Sequence, residues 1–103
     1  MGVRISDSKT ITTTGESDLF SIPDPYVGYL KRLSVSNGAT ALATVQVIYY
    51  NGTVKKPVLT LKVAAGGSVV LKEDELPLEG CPTKIAVSTD QQPITIDWSI
   101  ELE

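Results

Sequence analysis

The sequence predicts an all-β domain: a two-sheet antiparallel sandwich of about eight strands, with jelly-roll or Greek-key connections. Three observations carry this prediction. Thr, Val and Ile are abundant, as expected of residues that fit a pleated, half-buried surface. Gly, Pro, Asn and Asp interrupt the chain at short intervals, the rhythm of strands joined by tight turns. Residues 94–102 alternate apolar and polar without a break. No helical period competes with these signals.

The elements follow in order. Residues 9–14 and 18–22 read as two short strands. Pro23 and Pro25 then make an extended, stiff link, which suits a crossing between sheets better than a hairpin. In residues 28–37, Leu33 and Val35 alternate properly while Leu30 is out of phase, so a bulge is expected near Lys31 and Arg32. Ala43, Val45, Val47 and Tyr49 share one face of the next strand, and Asn51-Gly52 is a preferred pair for a two-residue hairpin. Leu59, Leu61 and Val63 share a face, then Val69 and Leu71, then Ile85 and Val87. Asn37-Gly38, residues 65–67 and residues 90–93 supply further turns. Residues 72–76 read as a short 3₁₀ turn or loop before Pro77. In the last strand Ile94, Ile96, Trp98, Ile100 and Leu102 fall on one face and Thr95, Asp97, Ser99 and Glu101 on the other. A slip of one residue there would bury Asp97, so the register is expected to be firmly set.

Length and composition bound the function. The chain has 103 residues and no composition shift divides it, so residues 1–103 form a single domain. Lys and Arg number 9 against 12 Asp and Glu, for a formal charge of -3. The cations are scattered, with only Lys55-Lys56 adjacent, which argues against nucleic acid as a partner. The start lacks an apolar export signal and no stretch reaches the roughly 18 apolar residues of a membrane span. A soluble protein made in the cytoplasm without export, and without a membrane partner, is expected.

Histidine is absent and Cys81 is the only cysteine. The usual general base and the usual soft metal ligands are therefore missing, and no catalytic, cofactor-binding or metal-ligating residues are nominated. Ser and Thr have no histidine to activate them, and no S-x-x-K or G-x-S-x-G motif occurs. Glu73, Asp74, Glu75 and Glu79 could attract a divalent cation, but they lack the spacing of a dedicated loop and read as a solvated acidic connection. Cys81 reads as a small buried hydrophobe. The function expected on these grounds is non-enzymatic.

The candidate interface is the outer side of the middle strand, where Leu42, Ile48 and Tyr50 lie opposite the inferred core. A strand apolar on both sides is covered by another layer or lies between subunits. Tyr26, Tyr29 and Tyr50 are the candidate stacking surface of an alternative, a carbohydrate-binding module on a similar sandwich.

The order of segments resembles small sandwich proteins of tailed bacteriophage particles. Phe20-Ser21-Ile22-Pro23 leads to Leu33-Ser34-Val35-Ser36-Asn37, then to Ala43-Thr44-Val45-Gln46-Val47. Val63-Ala64-Ala65-Gly66-Gly67-Ser68-Val69-Val70-Leu71 follows, and strands 84–89 and 94–102 close the chain. The acidic residues 73–79 and Pro23-Asp24-Pro25 depart from that pattern. The resemblance implies a virion localisation as a capsid decoration or cement protein, or as a tail or neck accessory protein. It implies the major capsid protein or other virion subunits as partners, and a homo-oligomer, of which a trimer is the expected form.

Overall fold

Strict alternation puts five apolar side chains of β8 (Ile94–Leu102) on one face, and all five are buried. Such a strand needs a neighbour on each side. Here β1 (Val3–Ile11) and β3 (Gly28–Asn37) pair with it antiparallel, and β6 (Ser68–Lys72) completes the sheet in the order β1-β8-β3-β6. The second sheet has the order β2-β7-β4-β5, from β2 (Gly15–Ser21), β7 (Lys84–Thr89), β4 (Ala43–Asn51) and β5 (Val54–Val63). This computed structural model describes residues 3–72, 76 and 82–103.

The expected two-sheet, eight-strand antiparallel sandwich is therefore formed among the described residues. Its strand order is that of a jelly roll, in which the chain passes repeatedly from one sheet to the other. The stiff link after β2 makes such a crossing, as its prolines predict. Among the described strands, only β4 and β5 are neighbours both in sequence and in a sheet. The inner faces meet in one core of Leu33, Val35, Val45, Val47, Ile85, Val87, Ile96, Trp98 and their neighbours. Leu59, Leu61, Val69 and Leu71, from the edge strands β5 and β6, pack against it half-buried.

The pairing shifts between Leu30 and Arg32 where β3 meets β8, so the expected bulge restores the phase of Leu30. Two further shifts occur, between Asp18 and Phe20 and between Val47 and Ile48.

Some local expectations need correction. Asn51 pairs with Val54 as part of the ladder, so the hairpin residues are Gly52 and Thr53. Only Gly52 has positive φ, +64°, which suits a turn with Gly at its first central position. β1 begins at Val3 rather than Lys9, and β2 begins at Gly15. The polar run of β1 hid its first half, because the register puts Asp7 and Lys9 on the core-facing side of this edge strand, opposite Trp98 and Ile96. Inward charges on an edge strand discourage pairing with other chains. The expected turn over residues 72–76, the acidic residues 73–79 and Cys81 fall mainly or wholly outside the described residues.

A rigid loop end and a strapped outer face

Antiparallel pairing gathers the β1–β2, β3–β4, β5–β6 and β7–β8 connections, residues 12–14, 38–42, 64–67 and 90–93, at one end of the sandwich. Asn37, the last residue of β3, is 2 % exposed and organises that end. Its side-chain amide donates to the carbonyls of Ala41 at 2.8 Å and Val63 at 2.9 Å. Its side-chain oxygen accepts from the Ala39 amide at 2.9 Å. The Asn37 backbone is bonded in both directions to the β5–β6 turn, donating to Gly67 and accepting from Gly66. Gly66 has φ +71°, which is why a glycine is required there. The Gly38 amide donates to the Pro93 carbonyl at 3.0 Å, and the Thr44 amide donates to Asp90 at 2.8 Å. Thr89 Oγ1 donates to the Gln91 carbonyl at 3.0 Å. Three of the four connections are thus tied together by backbone and side-chain bonds.

The surface these loops present is small and almost free of charge. Apart from Asp90, every residue of the four connections is uncharged. Leu42 is 53 % exposed there, and Ala41, Ala64, Ala65 and Pro93 are the other exposed apolar residues of these connections. Leu42 therefore lies in a loop just before β4 and not on the strand's outer face, as the sequence suggested.

Ile48 does point to the outer face of its sheet, and yet it is 2 % exposed. The open apolar patch expected there is closed by the chain's own side chains. Ala86, opposite it on β7, is fully buried as well, and neither belongs to the central core. The Tyr50 hydroxyl donates to Glu16 Oε2 of β2, and Lys55 Nζ of β5 donates to Glu16 Oε1 at 2.9 Å. Lys84 Nζ of β7 sits 4.2 Å from the centre of the Tyr50 ring and 3.1 Å from Asp18 Oδ1. These bonds form a strap across all four strands of the sheet. Between Tyr50 and Glu16 the register places Ala86, whose single methyl leaves room for the ring. The Tyr50 hydroxyl and the Lys55 ammonium hold the Glu16 carboxyl below its ordinary range. In return, the Glu16 carboxylate raises both Tyr50 and Lys55.

The tyrosines do not converge. Tyr26 is exposed in the β2–β3 link, at the end away from residues 38–42. Tyr29 pairs with Glu101 on the outer face of the first sheet, with Lys31 Nζ 5.8 Å from its ring centre. Tyr50 lies on the outer face of the second sheet. Leu42, Ile48, Tyr50, Tyr26 and Tyr29 are thus spread over four separate regions. Among the described residues, no three His, Cys, Asp or Glu side chains are grouped to hold a metal ion.

Sequence reading missed the Asn37 network. Asn37-Gly38 was readable as a turn, but the partners of its amide come from residues brought close only by the fold.

No protein-family model and no curated protein matches the sequence. Solved structures do share its fold. A structure described as "Bacillus endospore appendages form a novel family of disulfide-linked pili" is 14 % identical, with a TM-score of 0.60 over 99 % of this chain and 84 % of that chain. PirA is 12 % identical, with a TM-score of 0.59 over 95 % of this chain and 93 % of that one. The infectious bursal disease virus Gx strain structure reaches a TM-score of 0.42 at 16 % identity, over 99 % of this chain and 31 % of that one, a likeness too loose to bear on function.

Proposed function

We propose that the chain is a non-enzymatic structural subunit of a virus particle of the tailed-phage kind, a capsid decoration or cement protein that binds neighbouring shell subunits. The observation that carries this reading is the loop end. It is cross-bonded through three of its four connections, nearly uncharged and tipped by one exposed leucine, on a sandwich whose interior is filled by its own side chains. Loops held on a rigid scaffold are where binding surfaces concentrate. A surface already fixed in shape loses little conformational freedom on contact.

Binding of this kind stabilises a shell by mass action. A protein that binds the assembled shell and not its separate subunits shifts the equilibrium towards assembly, by an amount set by its concentration relative to Kd. No group that transfers a proton or attacks a substrate is needed. The pilus structure with the same fold is in keeping with a role in assembly. The scattered tyrosines give no single stacking platform for a sugar.

The test is to purify particles from the source by density gradient and probe the fractions with an antibody against this chain. Co-banding with intact particles is expected, with lower thermal stability of particles stripped of it. Absence from the particle fractions would overturn the reading.

A further inference from the structure

We infer that copies of this chain meet one another through the loop end, as an end-to-end pair related by a twofold axis. The inference deepens the assembly reading and rests on it for the premise that the chain works through protein contacts.

Charge selects the surface. The core of a contact between copies is depleted of charged side chains, because burying a charge costs its hydration. The outer face of the first sheet carries Arg4, Arg32, Lys72, Asp97 and Glu101, and that of the second carries Glu16, Asp18, Lys55, Lys62 and Lys84. The opposite end holds Asp24 and Glu103. Among the described residues, the loop end is the nearly neutral surface, and Asp90, its single charge, already accepts a backbone bond from Thr44. Lys62, opposite Thr44 in the β4–β5 ladder, lies at its margin.

Shape selects the occupant. A twofold contact needs a patch complementary to itself. Leu42 is the large exposed side chain of an end whose other exposed residues include the small Ala41, Ala64 and Ala65, so the Leu42 of one copy has room against the alanines of the other. A lipid surface would call for basic and aromatic anchors, and residues 12–14, 38–42, 64–67 and 90–93 contain none.

Area sets the strength. The molecule measures 41 × 25 × 20 Å, and a ten-residue strand rises about 34 Å, so the long axis follows the strands. An end of 25 × 20 Å is about 500 Å², or about 1,000 Å² for a pair, at the lower limit for a specific interface. The contact is therefore weak in free solution and gains strength when many copies are held on one assembly.

Sedimentation velocity from about 10 μM to about 1 mM spans the range where such an interface associates. The wild-type protein is expected to pass from monomer to dimer. Leu42→Glu and Ala65→Glu, both at exposed loop positions, are expected to weaken dimerisation at least tenfold while the urea midpoint stays unchanged. Mixing Leu42→Glu with Leu42→Lys is expected to restore association beyond either alone, because the same ends meet. A monomer throughout the range, a Leu42→Glu protein that dimerises like wild type, or a mass that fits only a trimer would each overturn the pair. So would wild-type binding to phosphatidylcholine vesicles that Leu42→Glu abolishes. A protein that bands with particles but stays monomeric fails this inference and leaves the assembly reading intact; one that dimerises but is absent from particles does the reverse.

Discussion

Asn37 makes three side-chain hydrogen bonds from a buried position, two to carbonyls and one from an amide, and they hold the β3–β4 loop against the end of β5. An apolar replacement leaves those backbone groups to find other partners. The Val63 carbonyl bond is the buried one, and losing a buried partner costs about 1–3 kcal/mol. The bonds to Ala39 and Ala41 are part-buried, so water replaces them more cheaply. Asn37→Ala is therefore expected to destabilise the protein by about 2–3 kcal/mol, read as a lower urea midpoint at unchanged slope. Asn37→Asp should cost more, since it turns a carboxylate oxygen towards two carbonyls. A loss below about 0.5 kcal/mol for the alanine variant would show that other bonds hold this end, because surface substitutions commonly reach that size.

At the scale of the element, the strap joining β2, β7, β4 and β5 makes stability depend on pH in a definite direction. Glu16 is lowered in the folded state by the Tyr50 hydroxyl and by Lys55, from an ordinary value of 4.5. Its contribution is complete above that value and is lost as pH falls through the folded one. Tyr50 and Lys55 are raised by Glu16, from 10.0 and 10.5, so their contributions are complete below those values and are lost as pH rises through the folded ones. The strap is thus at full strength between about pH 4.5 and pH 10. Urea midpoints taken from neutral pH downwards should fall further for wild type than for Glu16→Gln, which has no carboxyl to titrate at that position. Parallel curves would mean that the strap contributes nothing. The strap also explains why the sequence revealed the direction of Ile48 but not its burial. Period two is a local signal, whereas Glu16 lies 34 residues from its Tyr50 partner. For the same reason β8 was legible from its own residues. β1 was not, because Asp7 and Lys9 interrupt its inward row. At the loop end, the turn signals were readable and their mutual bonding was not, since that bonding exists only once both sheets are formed.

The molecule as a whole is joined almost entirely by distant pairings. β1 pairs with β8 from Val3 with Leu102 to Ile11 with Ile94, and β2 pairs with β7 from Gly15 with Thr89 onward. Pairings so far apart in sequence require costly loop closure before they stabilise anything, and domains dominated by them fold in milliseconds to seconds. A circular permutant separates this cost from stability. Val3 and Leu102 are already paired, so a short linker can join the two termini without moving a strand. New ends can be opened at Asp24, in the exposed link between the sheets, at the cost of the Tyr26 to Pro23 backbone bond. In that order β8 runs directly into β1, and β2 follows soon after β7. Both pairings become shorter in sequence, while β3–β8, β3–β6, β4–β7 and β4–β5 keep their separations. The permutant is expected to refold on the order of tenfold faster than the parent, with a urea midpoint changed little. Stopped-flow fluorescence of Trp98, the single tryptophan and a core residue, reads the rate directly. Equal or slower refolding at matched stability would mean that closing β1 onto β8 is not what limits folding. The β3–β8 ladder, whose separation the permutation leaves untouched, would then be the slow closure.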